Sequence, residues 1–142
     1  MISIEQATAR DADAICRIDA TVLGDMGRNG QLQQWIAAGR CYTARQDGEV
    51  VGFAVMDQSF FRQSFVELIV VHPRHQRKGI GEALLLHLEA VCPTEKLFVS
   101  TNLSNKQMQR LCRRLEYMPS GMIDNLDPGD PEVLSCKKPQ RS

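Results

Sequence analysis

Val71-His72-Pro73-Arg74-His75-Gln76-Arg77-Lys78-Gly79-Ile80-Gly81-Glu82 joins an apolar run to an amphipathic segment. Upstream, Ser64 to Val71 is nearly continuous in apolar residues except Glu67, the pattern of a central strand covered on both faces. Downstream, Ile80, Leu84, Leu88 and Val91 recur at helical spacing and stop at Cys92-Pro93. Gly79 and Gly81 remove side chains where the backbone must turn and a ligand can approach. The first amides of a helix lack internal partners and lie at the positive end of its dipole. A strand, a glycine turn and a helix start therefore make an anion site suited to a pyrophosphate, with Arg74, Arg77 and Lys78 at its rim. The same residues also read as a plain strand-helix turn with a solvated basic rim. A GxGxxG fingerprint is excluded by Leu84, and a Walker loop by the absence of Gly-Lys-Ser/Thr.

Working outward, Ile2 and Ile4 alternate with polar residues and predict a first strand. Thr8-Ala9-Arg10-Asp11 reads as a capping box for a helix carrying Ala14, Ile15, Ile18 and Val22. A short second helix carries Leu32, Trp35 and Ile36 and stops at Gly39. Cys41 to Gln46 and Glu49 to Asp57 predict two strands joined at Asp47-Gly48, a tight-hairpin signal. After the central helix come a strand at Lys96 to Thr101 and a helix at Asn105 to Glu116, with Met108, Leu111, Cys112 and Leu115 on one face. Strands around Ser120 to Asn125 and Val133 to Lys137 flank the turn Asp127-Pro128-Gly129-Asp130-Pro131. The predicted order, β-α-α-β-β-β-α-β-α-β-β, gives an α/β (α+β) chain with a mixed sheet, not the strict alternation of a doubly wound fold. Residues 1–142 are expected to form one domain.

The 142 residues are 43% hydrophobic, and 17 basic residues balance 17 acidic ones. A neutral chain offers no global field for nucleic acid or an anionic membrane, so no stable nucleic-acid partner is expected. No apolar run approaches the ~18 residues that span a bilayer, and Met1 to Arg10 does not read as a signal peptide. The five cysteines, Cys16, Cys41, Cys92, Cys112 and Cys136, form no CxxC pair and read as free thiols in a reducing cytosol. A cytoplasmic location follows as the expectation. His72 and His75 have no acidic partner nearby, and no metal site is expected.

Gln76-Arg77-Lys78-Gly79-Ile80-Gly81 resembles the Q/R-x-x-G-x-G/A signature of the GNAT superfamily of N-acetyltransferases, with Val71-x-Pro73 at the usual spacing before it. Asn105, Leu111, Leu115 and Tyr117 resemble the second motif, Asn-x-x-Ala-x-x-Leu-Tyr-x-x-Leu-Gly-Phe, and the element order matches along essentially the whole chain. The resemblance implies a mostly antiparallel sheet of about six to seven strands with about four helices. It implies acetyl-coenzyme A between two splayed parallel strands, here Glu67 to Val71 and Lys96 to Thr101. Main-chain groups of Ile69, Val70 and Val71 would pair with the pantetheine arm. Amides of Arg77, Lys78, Gly79, Ile80, Gly81 and Glu82, following Gln76, would hold the pyrophosphate. Asn105 would contact the cofactor arm, and it serves equally well as a helix N-cap.

The resemblance further implies direct attack of an amine on the thioester. The usual tyrosine proton donor, seven residues after the Asn, is replaced by Cys112, and the usual Gly-Phe by Glu116-Tyr117. Cys112 reads either as a proton donor or as a core cysteine in step with Met108 and Leu115. In the second case Tyr117, water or the amine supplies the proton. Glu67, the one charge in an apolar run near the expected thioester, is the candidate base; burial would raise its pKa. Asp127, Asp130 and Glu132 could attract a cationic amine or form a solvated turn. Phe60 and Trp35 could line the acceptor pocket, Trp35 fitting core packing better. The expected partner is a small-molecule or peptide amine, with a homodimer left open. Two other readings stand beside it, a coenzyme A-binding regulatory module without chemistry and acetylation of a protein or aminoacyl-tRNA.

Overall fold

A computed structural model describes residues 1–140 of the chain. The strands are β1 (Ile2–Gln6), β2 (Cys41–Gln46), β3 (Glu49–Phe60), β4 (Gln63–Val71), β5 (Leu97–Asn102), β6 (Met118–Ile123) and β7 (Glu132–Lys137), and the helices are α1 (Ala12–Leu23), α2 (Asn29–Ala37), α3 (Ile80–Val91) and α4 (Lys106–Arg114). Apart from two short 3-10 turns, the order is the one the sequence predicts. The hydrogen-bonded strand order is β1-β2-β3-β4-β5-β7-β6. The β4–β5 pair is parallel, and the β1–β2, β2–β3, β5–β7 and β6–β7 pairs are antiparallel. The expected mixed, mostly antiparallel sheet with four helices is therefore present. No described helix is long and apolar enough to cross a membrane.

Local chemistry accounts for the element ends. The Asp11 carboxylate accepts the Thr8 amide at 2.9 Å, closing a capping box around the 3-10 turn Ala9–Asp11 that leads into α1. Asp47 and Gly48 both adopt positive φ, 53° and 81°, as a two-residue hairpin turn between right-twisted strands requires. Gly39, at φ 75°, follows α2 as its left-handed cap. The β3–β4 hairpin extends beyond the predicted Asp57 to Phe60, because Phe61 and Arg62 supply the turn at φ 52° and 65°. Neither residue is a turn former, so the sequence does not announce that end. Likewise β6 starts two residues earlier than predicted, at Met118.

The described chain packs as two compact units, Met1–Met56 with Leu68–Leu88, and Asp57–Glu67 with residues 89–140. In the first, Ile15, Cys16 and Ile18 of α1, Leu32 and Ile36 of α2, and Cys41, Phe53, Val55 and Val70 of the strands form one apolar cluster, with Trp35 packed against it. Val22, in step with that face by spacing, is 46% exposed. In the second, Val66, Cys92, Leu97, Val99, Cys112, Tyr117 and Leu134 are buried. β4 departs from the expected two-sided cover: Ser64, Val66 and Val70 are buried, but Phe65, Glu67, Leu68, Ile69 and Val71 are only half-buried.

Candidate active site

The turn after β4 is built as an open anion cradle. His72 Nδ1 accepts the Arg74 amide at 3.1 Å, and the His75 amide donates to the His72 carbonyl at 2.8 Å, winding Pro73–His75 into one 3-10 turn. The chain then runs exposed from Gln76 to Gly79. Arg77 and Gly79 stand at φ 65° and 81°, the left-handed conformation that turns successive amides toward a common centre. After this turn the Ala83 amide donates to the Gly79 carbonyl at 3.0 Å, opening the helical ladder. The amides of Ile80 and Gly81 thus precede the ladder of α3 and have no intrahelical acceptor. Gly81 has room around it, since a Cβ there would meet nothing closer than Ile69 Cγ2 at 3.9 Å. This donor set fits a pyrophosphate.

The parallel ladder between β4 and β5 is short, running from Ser64↔Leu97 to Val66↔Val99. Ile69, Val70 and Val71 lie beyond its last rung. Val70 is held closely from β3, where a Cβ on Gly52 would stand 2.9 Å from the Val70 carbonyl oxygen. This close approach at Gly52 is not anticipated from the sequence; an isolated glycine inside a strand pattern was the available signal.

Glu67 sits one residue past that last rung and is half-buried. Ser59 Oγ lies 2.9 Å from Glu67 Oε2 and 2.7 Å from Asp57 Oδ1. Burial, with the neighbouring Asp57 carboxylate, pushes the Glu67 carboxyl up to about 6, against an opposing contribution from Ser59. Asp57 and Ser59 were not picked out from the sequence, because the β3 end that carries them was placed too early.

Asn105 caps α4, its Oδ1 accepting the Met108 amide at 3.1 Å. Cys112 lies buried on α4, and burial first, then Glu89, pushes its thiol up to about 11. Tyr117 is also buried, and its hydroxyl donates to Glu89 Oε2 at 2.9 Å. Lys137 Nζ donates to the other oxygen of the same carboxylate at 2.9 Å. Burial and Glu89 together hold the Tyr117 phenol far above its ordinary range. Its single proton is committed to Glu89.

The acidic turn is not a free carboxylate patch. Asp127 accepts from Asn102 Nδ2 at 2.9 Å. Asp130 accepts the Ser104 amide at 3.0 Å and the Ser104 hydroxyl at 2.6 Å. The two carboxylates tie the β6–β7 loop to the end of β5 and to the loop after it. Phe60 belongs to an aromatic cluster, with ring centroids 4.9 Å from Phe61, 5.3 Å from Phe65 and 5.0 Å from Phe98.

Residues 13–117 match the family model described as "Acetyltransferase (GNAT) family". Among solved structures, a GNAT-family acetyltransferase from Bacillus cereus ATCC 10987 is 36% identical, with a TM-score of 0.96 and 99% of each chain covered. The ribosomal-protein-S18-alanine N-acetyltransferase of Escherichia coli shares the fold at 19% identity, with a TM-score of 0.84, covering 100% of this chain and 96% of that one. So does the yncA protein of Salmonella typhimurium, solved with its cofactor acetyl-CoA, at 20% identity and a TM-score of 0.80, covering 98% of this chain and 94% of that one. No curated protein matches the chain. The family match, the short parallel pair and the glycine turn agree, and the chain belongs to the GNAT family of acetyl-CoA-dependent acetyltransferases.

Proposed function

We propose that this chain, acting as a single domain over residues 1–142 in the cytoplasm, acetylates a primary amine of a small molecule or peptide. The observation that carries the chemistry is the half-buried Glu67 carboxylate, raised to about 6 at the end of the β4–β5 ladder. A base with that pKa is ionised at neutral pH and strong enough to accept a proton from a bound ammonium.

Acetyl-CoA supplies an acetyl thioester. The amides from Arg77 to Glu82, with Gln76 and the basic rim, would hold its pyrophosphate. The backbone of Ile69–Val71 would hold the pantetheine arm as an added strand, and Asn105 would contact that arm while capping α4. Glu67 takes one proton from the acceptor ammonium. The freed amine attacks the carbonyl carbon, a C–N bond forms and the C–S bond breaks. The nitrogen's surplus proton, or a water proton, goes to the departing thiolate. Cys112, protonated up to about pH 11, and Tyr117, bonded to Glu89, are assigned to the packing behind the site. Asp127 and Asp130 shape the acceptor-side loop, and Phe60, in its cluster with Phe61, Phe65 and Phe98, would offer an apolar wall to the acceptor.

Mass spectrometry of acceptor panels incubated with acetyl-CoA tests this reading. An acetyl adduct on small amines or short peptides supports it. Adducts confined to folded proteins or aminoacyl-tRNA replace the acceptor class, and none with any acceptor, despite bound coenzyme A, favours a binding module.

A further inference from the structure

Ser59 stands between two carboxylates, 2.7 Å from Asp57 Oδ1 and 2.9 Å from Glu67 Oε2. A hydroxyl carries one proton, so it can donate to only one of them; the other contact is a hydrogen bond only if that carboxyl is itself protonated. The backbone decides which. Asp57 Oδ1 also accepts the Ser59 amide at 3.2 Å, so Asp57 is the better-solvated anion and the natural acceptor of the Ser59 proton. Glu67, whenever it is protonated, then donates to Ser59. In that protonated state the chain of donors runs from Glu67 through Ser59 to Asp57.

Asp57 is the charged group whose field raises Glu67. Across β5 the same sheet face carries Phe98, opposite Phe65, and then Ser100, which is hydrogen-bonded to Glu132 of β7. Glu132 in turn feels Asp127 and Asp130. Ser59 partly offsets the Asp57 carboxylate there.

We propose that Asp57 is a positioning residue whose carboxylate, held beside Glu67 by the Ser59 bridge, makes Glu67 a stronger base than an isolated glutamate. This rests on Glu67 as the base of the acetyl transfer, and it extends the site to a second strand. Two carboxylates 59-bridged in this way also favour a cationic acceptor, because an ammonium can replace the shared proton.

The test is a pH titration of the full chain with 13Cδ-labelled glutamate, the Glu67 signal being assigned from its loss in Glu67→Gln. The wild-type midpoint is expected near 6. In Asp57→Asn it falls by about one pH unit, since the like charge and the donor chain are both gone, and Asp57→Ala serves if the first variant is poorly folded. The acidic limb of amine-dependent thiol release moves by the same amount in the same direction. An unchanged Glu67 midpoint in both variants overturns the proposal, as does lost activity with an unmoved acidic limb. If Glu67→Gln itself retains the acidic limb, the base assignment falls, while the titration still decides the carboxylate pair.

Discussion

Gly52 lies beneath the carbonyl of Val70 so closely that a Cβ on residue 52 would stand 2.9 Å from that oxygen. The obstacle is backbone on one side, with Ile80 Cγ2 and Val71 Cα both at 3.4 Å on the others, so it cannot swing away. Gly52→Ala is expected to cost about 1–3 kcal/mol by overpacking and to weaken coenzyme A binding by displacing Val70 and Val71. Denaturant unfolding and calorimetric titration of the variant measure the two effects.

Glu116 occupies the position where the family motif has glycine, and it stands at φ 70°. The Tyr117 amide reaches back to the Cys112 carbonyl at 2.9 Å, which is the closing bond of a left-handed helix cap. A residue with a Cβ is strained there. Glu116→Gly should therefore raise stability by about 0.5–1 kcal/mol, read as a higher denaturant midpoint at unchanged slope.

Gly81 separates space from charge. Since a Cβ at 81 meets only Ile69 Cγ2 at 3.9 Å, Gly81→Ala should fold with near wild-type stability. Gly81→Glu places a carboxylate among the amides at the start of α3 and should abolish coenzyme A binding. Equal affinity of the Glu variant and the wild type by calorimetry would remove the pyrophosphate from this turn.

Cys112 and Tyr117 should behave as packing residues. With its thiol pushed up to about 11 by burial, Cys112 should resist a thiol reagent at about pH 8 in the native state, while the less buried Cys136 is modified first. Tyr117→Phe removes a hydrogen bond to an ionised carboxylate and should cost about 1.5–3 kcal/mol, with turnover kept. A turnover collapse without loss of stability would return Tyr117 to the chemistry.

Much of this was legible in the sequence because the signals are local. The Gly79–Gly81 turn, the Asp47-Gly48 hairpin, the Thr8–Asp11 capping box and the helix faces each depend on neighbours a few residues apart. What escaped depends on strand register. Asp57 and Ser59 reach Glu67 only because β3 runs on to Phe60, through a turn whose Phe61 and Arg62 carry no turn signature. The Asp127 and Asp130 carboxylates looked free because their partners, Asn102 and Ser104, lie more than twenty residues away. Pairings between loops leave no periodic trace in a chain.

The central claim is that Glu67 drives transfer of an acetyl group to an amine, and the direct measurement is thiol release from acetyl-CoA, with and without amines, from about pH 5 to about pH 8. Glu67 must lose its proton to act, so amine-dependent release should rise through a midpoint near 6 and then level off. The same raised pKa acts on stability with the opposite sign. Between 4.5 and about 6 the folded state holds more proton than the unfolded one, so the Glu67 contribution to stability declines as pH rises. Release in Glu67→Gln should be far slower, with coenzyme A affinity little changed. No amine-dependent release from wild-type protein that binds coenzyme A, or an identical pH profile in Glu67→Gln, would contradict the account.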